Sequence, residues 1–123
     1  MGLLRRLLAK LKPYSISLNR VHDTVRISEG FDKIKLRVDE DPMRMVAGLN
    51  RAQAMLKALT AEDGEDKTHE AALYFAGVIF GEAQARALLD FYRGDAACAV
   101  NVCGRYFTER LSGLIERAQK RMR

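Results

Sequence analysis

Leucine recurs at helical spacing near the start of the chain. In "GLLRRLLAKLK", Leu3, Leu4, Leu7, Leu8 and Leu11 share one face, with Arg5, Arg6, Lys10 and Lys12 mostly between them. This predicts a basic amphipathic helical arm over residues 1–12, and Pro13 disfavours helix at Lys12 and separates the arm from the rest of the chain. From Tyr14 the period drops to two. "YSISL" alternates Tyr14, Ile16 and Leu18, "TVRIS" offers Val25 and Ile27, and "DKIKLRV" sets Ile34, Leu36 and Val38 against Lys33, Lys35 and Arg37. These read as short, half-buried antiparallel strands, a β-hairpin or a small three-stranded meander over residues 13–39. Their joins are the turn-like "NRVHD" and "SEGFD", the second containing Gly30 for a positive φ.

After residue 40 the apolar period lengthens to that of helices. Asp41 is a good N-cap, Pro42 suits the first helical position, and Gly64 is a natural stop after Asp63. Met45, Val46, Leu49, Ala52, Leu56 and Leu59 form the stripe of this first helix. A second helix is expected to begin near Asp66 or Thr68 and to run through "EAALYFAGVIF" to Phe80, apolar almost all round and therefore central. Gly81 marks a kink or a short break before a helix carrying Ala85, Leu88, Leu89 and Tyr92, which Gly94 ends. Asp95 then caps a final helix whose core stripe is Ala99 or Val100, Cys103, Phe107, Leu111, Leu114 and Ala118. The expected fold is one mostly helical α+β domain over 13–123. About four helices fill 41–123, behind the β segment and the 1–12 arm.

Composition narrows this picture. A chain of 123 residues, 48% hydrophobic, suits one compact domain with a genuine core and leaves no room for a second large one. Its two cysteines, Cys98 and Cys103, are fewer than a small secreted scaffold would use to close its loops, which points to a reducing compartment. Five residues apart on a helix they diverge by roughly 140°, too far for a disulfide and poor for sharing a metal, so each reads as a small buried hydrophobe. No segment offers an uninterrupted apolar run of spanning length, and Arg5 and Arg6 break the run after Met1, so neither a membrane span nor a signal peptide is expected. Arg6 also breaks the myristoylation pattern that begins at Gly2. The chain reads as soluble and cytoplasmic. "RGD" at Arg93, Gly94 and Asp95 reads as helix end, C′ glycine and N-cap, not as an integrin ligand.

The net charge is +5, but residues 1–12 carry four cations and no acid, so 5 − 4 leaves +1 on the remainder. A second cluster, Arg117, Lys120, Arg121 and Arg123 against Glu116, matches the negative end of a helix dipole. The aromatic residues lie mostly within apolar stripes, so no specific nucleic acid is expected as partner. There is no Gly-rich phosphate loop, nucleophile elbow or pair of metal-spaced histidines; His22 and His69 stand apart from each other and from both cysteines. "GEDKTHE" gathers Glu65, Asp66, His69 and Glu70, which a helix start accounts for. The sequence therefore predicts no enzyme, and no catalytic, cofactor-binding or metal-binding residue.

The order of parts carries a resemblance. A β segment ending in "KLRVDED", a long helix, an alanine-rich helix closing in "VIFGEAQARALLDFYRGD" and a last helix "AVNVCGRYFTERLSGLIERAQKR" together resemble the small tail assembly chaperones of long-tailed, siphovirus-type bacteriophages and prophages. The similarity covers residues 14–120. Its most telling piece is "IFGEAQARALLDFYRGD", where an aromatic-Gly break precedes a short helix, a loop and a basic-ended C-terminal helix; the 1–12 arm departs from the pattern. The resemblance implies a non-enzymatic protein of the bacterial host cytoplasm. Such chaperones coat the tape-measure protein, keep its apolar helices soluble, and yield to the tail-tube protein as it polymerises. That work needs a compact helical body, an apolar surface for a helical client, and self-association into a homo-oligomer. Leu4, Leu7, Leu8 and Leu11 of the arm, with Leu88 and Tyr92 of the body, are the candidate self-association or partner-binding residues. The alternatives are a small phage- or mobile-element-encoded inhibitor or adaptor of a host complex, against which the near-neutral body argues, and a nucleic-acid accessory protein using its basic ends.

Overall fold

The computed structural model describes residues 20–121. The arm at 1–12 and the expected strand of Tyr14, Ile16 and Leu18 lie outside the described residues. The β segment within them is a two-stranded antiparallel hairpin, β1 (Val21–Glu29) and β2 (Asp32–Glu40). The register runs from Val21 opposite Glu40 to Glu29 opposite Asp32, which leaves Gly30 and Phe31 as a two-residue turn. Gly30 has φ +63°, a left-handed conformation that glycine adopts more readily than any residue with a side chain. The strand begins earlier than expected. Val21, His22 and Asp23 belong to β1, not to a turn, because the alternation extends back through them with Val21 buried and Asp23 facing inward.

Helix α1 (Pro42–Ala58) starts as expected. The Asp41 carboxylate accepts hydrogen bonds from the Met43 and Arg44 amides at 2.8 and 3.3 Å, with Pro42 in the first turn. Its end differs from the expected stop at Gly64. The helix finishes at Ala58 because Asp63 folds back, its carboxylate accepting from the Thr60 amide at 2.7 Å and from Thr60 Oγ1 at 3.2 Å. Such side-chain bonds compete with the helical ladder. Gly64 instead caps the start of α2 (Glu65–Phe80).

Helix α2 is the central element and touches α1, β2 and the two helices that come after it. It buries Ala71, Ala72, Phe75, Ala76, Ile79 and Phe80. Gly48 lets α1 approach it closely: a Cβ there would lie 2.7 Å from Val78 Cγ1. Gly81 breaks the helix outright, with φ +87° and ψ +160°, and α3 (Glu82–Phe91) sets off in a new direction. At its end Arg93 (φ +57°) and Gly94 (φ +81°) turn the chain, the Gly94 amide bonding back to the Leu89 carbonyl at 2.8 Å. The Asp95 carboxylate then accepts from the Cys98 amide at 3.2 Å and caps α4 (Ala96–Tyr106). Asp95 is the N-cap expected of it, but the preceding helix ends earlier than the reading of "RGD" placed it: Phe91 is the last helical residue and Tyr92 the C-cap, so Arg93, not Gly94, takes the left-handed C′ position and Gly94 follows it.

Helix α4 continues through a π-helical turn, Phe107–Leu111, into α5 (Ser112–Arg121) as one rod. The turn inserts one residue into the apolar repeat. Buried positions run Ala99, Cys103, Tyr106, Leu111, Ile115 and Ala118, so the expected Phe107 and Leu114 give way to Tyr106 and Ile115 and become half-buried. The helical rods and the hairpin share one core, in which Leu36, Met45, Ile79, Leu88 and Leu111 are at most 1% exposed.

Candidate functional site

The π-helical turn shapes one part of the described surface. By turning Phe107 out of the core it adds an aromatic wall to an apolar groove, whose other walls are Leu49 and Leu56 of α1, Phe75 of α2 and Val100 of α4. Two adjoining depressions, of about 190 and 520 Å³, meet at Leu56 and Phe75. Gly104 keeps one side open, since it has no side chain to fill the space. Asn50, Gln53, Asn101, Arg105, Thr108 and Glu109 form a polar rim. An apolar floor with a polar rim is suited to a side-chain-bearing partner. The sequence contains the pieces, Leu49 and Leu56 seven residues apart and Val100 and Phe107 seven residues apart, but each pair reads there as ordinary core.

The same π turn anchors the rod to the hairpin. Tyr106 Oη donates to Asp23 Oδ2 at 2.7 Å, and Arg110 clamps both Asp23 oxygens, Nε to Oδ2 at 2.6 Å and Nη2 to Oδ1 at 3.0 Å. The Asp23 side chain is 8% exposed. Burial works against its charge, but the bonds from Arg110, Tyr106 and the Thr24 amide outweigh that cost and hold the carboxyl below its ordinary range. Burial and the neighbouring carboxylate raise the Tyr106 phenol. No part of this clasp is legible in the sequence, because Asp23 and Arg110 are 87 residues apart.

Of the two body residues expected to meet partners, Leu88 is enclosed in the core and Tyr92 reaches the surface. Leu88 is fully buried and has no surface to offer. Tyr92 is half-buried, edge-on to Phe91, and its hydroxyl donates to Glu29 Oε1 at 3.2 Å. Burial and the Glu29 carboxylate push that phenol up to about 12. Leu4, Leu7, Leu8 and Leu11 lie outside the described residues. The structure does not bring Leu88 and Tyr92 into the groove.

An open polar cleft of about 780 Å³ collects Asp63, Glu65, Asp66, His69 and the Arg93–Asp95 turn. Asp63 is engaged by Thr60 and by Lys67 Nζ at 3.2 Å, and Asp95 serves as a cap. Among the described residues no group of three or more His, Cys, Asp or Glu is arranged to hold a metal ion. Cys98 is half-buried and Cys103 buried, both free. Burial pushes the Cys103 thiol up to about 12, and a hydrogen bond with Asp95 followed by burial raises that of Cys98. Neither therefore carries appreciable thiolate at neutral pH. No described helix is long and apolar enough to cross a membrane.

Comparison with family models, with curated proteins and with solved structures gives no match.

Proposed function

We propose that this chain is a non-enzymatic assembly chaperone that seats an amphipathic helix of a client protein in the groove of Leu49, Leu56, Phe75, Val100 and Phe107. The groove is the observation that carries the reading, since helix-in-groove recognition uses half-open apolar side chains from several elements inside a polar rim. The resemblance of residues 14–120 to tail assembly chaperones supports a tape-measure protein as the client and the bacterial host cytoplasm as the place of work. A tape-measure protein repeats its apolar helical face many times. Copies that also bind one another along it gain avidity from individually weak contacts. The arm supplies that self-association, Leu4, Leu7, Leu8 and Leu11 docking on a neighbouring copy.

Light-scattering mass over a concentration series, on the full chain and on a chain starting at Pro13, tests the assembly. The expected result is concentration-dependent growth of the full chain that the truncated chain lacks. Co-expression with a tape-measure segment tests the groove, and Leu56→Asp is expected to abolish its capture. A strict monomer in both chains overturns the assembling reading and favours a one-to-one inhibitor or adaptor.

A further inference from the structure

The outward face of the hairpin carries an unusual concentration of charge. Strand alternation places His22, Thr24, Arg26 and Ser28 of β1 and Lys33, Lys35, Arg37 and Asp39 of β2 on it, all exposed. The register sets Arg26 directly opposite Lys35, with Lys33 and Arg37 on the diagonals. Like charges opposite each other weaken an antiparallel pair, so folding alone does not favour this arrangement. Asp39, the one carboxylate on the face, is already engaged by Arg20 Nε at 2.6 Å and lies 3.4 Å from His22 Nδ1. Among the described residues Arg26, Lys33, Lys35 and Arg37 have no carboxylate within salt-bridge distance, and residues 1–19 contain no Asp or Glu to provide one. Residues 1–41 hold nine of the 21 Lys and Arg and six of the 16 Asp and Glu, a net +3, against +2 on residues 42–123. The hairpin is distinguished not by its net charge but by the sorting of its charges, four cations against one carboxylate between residues 24 and 39 of its outward face.

Lys33, Lys35 and Arg37 succeed one another about 6.6–6.8 Å apart along β2, a spacing that lets consecutive cations meet successive phosphates of an extended strand. At the tip of the same ribbon Phe31 is fully exposed, 104% of its reference area. We propose that this face binds the backbone of single-stranded nucleic acid, with Phe31 as a stacking platform for an unpaired base. Cations that track phosphates beside an exposed aromatic ring are the combination such binding uses. A duplex presents no free base face along its length. A bilayer would need apolar side chains on the face, and it has none. Because phosphate contacts carry no sequence information, the binding is sequence-tolerant. The residues involved are separate from those of the groove, so the two proposals stand or fall independently.

Fluorescence anisotropy with a labelled oligothymidylate, using the full chain, tests the proposal between about 50 and 200 mM salt. The expected results are steep weakening with salt, a salt slope smaller by about 0.7 in Lys35→Gln, and at least fivefold weaker binding in Phe31→Ala. Lys35→Glu is expected to lose tenfold or more in affinity without a lower melting temperature, since it replaces a like-charge pair with an opposite one. The chain starting at Pro13 is expected to retain binding. The proposal is overturned by undiminished binding in Lys35→Glu, or by loss of all binding on removal of the arm alone. Equal affinity for a duplex with Phe31→Ala unaffected, preference for phosphatidylcholine–phosphatidylserine vesicles, or no binding at the lowest salt would overturn it equally.

Discussion

Asp23 shows how much one side chain can decide in a small domain. It faces inward from a strand, where a carboxylate is costly, and it is tolerated because Arg110 and Tyr106 reach it from the far end of the chain. Its carboxyl is held below the ordinary range, so the unfolded chain takes up a proton at higher pH than the folded one. The resulting stabilisation is complete above the unfolded value near 3.9 and disappears as pH falls through the folded value. Asp23→Asn is expected to cost about 1.5–3 kcal/mol at neutral pH, the scale of hydrogen bonds to a charged group. The gap to the wild type, tracked by thermal melting from pH 6 to pH 3, should narrow with acidification. A gap independent of pH would mean that the clasp contributes shape alone.

Among the elements, two irregularities do the positioning. Gly81 redirects the chain between α2 and α3, and this brings Gln84 to the edge of β2. The Gln84 side chain accepts from the Arg37 amide at 2.7 Å and donates to the Arg37 carbonyl at 2.7 Å, as a neighbouring strand would, and it also donates to the Phe80 carbonyl at 2.6 Å. Nothing lies within 4 Å of a Cβ built on Gly81, so Gly81→Ala tests backbone strain without a steric clash. It is expected to cost about 1–3 kcal/mol, read as a lower urea midpoint at unchanged m-value. An unchanged midpoint would show that the break is not held in this conformation. The π turn is the second irregularity. It moves Tyr106 to the core side, where it stacks on Phe80 with centroids 5.9 Å apart, and leaves Phe107 to the groove. Such turns are frequent at functional positions in helices.

Taken together, the hairpin and the helices share their interior. Leu36 and Val38 of β2 belong to the same cluster as Ile79, Leu88 and Leu111, and an isolated two-stranded hairpin is marginal in water. The protein is therefore expected to unfold in one transition, with calorimetric and van't Hoff enthalpies equal and with β2 amides exchanging as slowly as those of α2. Faster exchange confined to the hairpin would show that it opens by itself. Arg26, Lys33, Lys35 and Arg37 ride on this shared body, so the binding proposed for them would need no prior ordering of the strip.

Much of this architecture is local and so can be read along the chain. Alternation in "DKIKLRV", Asp41 before Pro42, the apolar girth of "EAALYFAGVIF" and the Asp95 cap each depend on neighbours a few residues away, and each appears where the pattern puts it. The helix end at Ala58 departs from that reading because Thr60 and Asp63 offered the backbone a competing set of bonds. Leu88 and Tyr92 are apolar positions on a helix, and periodicity does not distinguish a face that meets a partner from one that meets the core. The groove, the Asp23 clasp and the Gln84 bridge depend on segments distant along the chain, 47 residues apart at the bridge and 87 at the clasp. One inserted residue at the π turn rotated Phe107 relative to every local expectation. Sequence periodicity determines which residues seek burial, since that depends on side-chain chemistry and helical or strand repeat. Only the packed chain decides which of them find it, because the interior holds a limited volume and those left at its edge stay partly exposed.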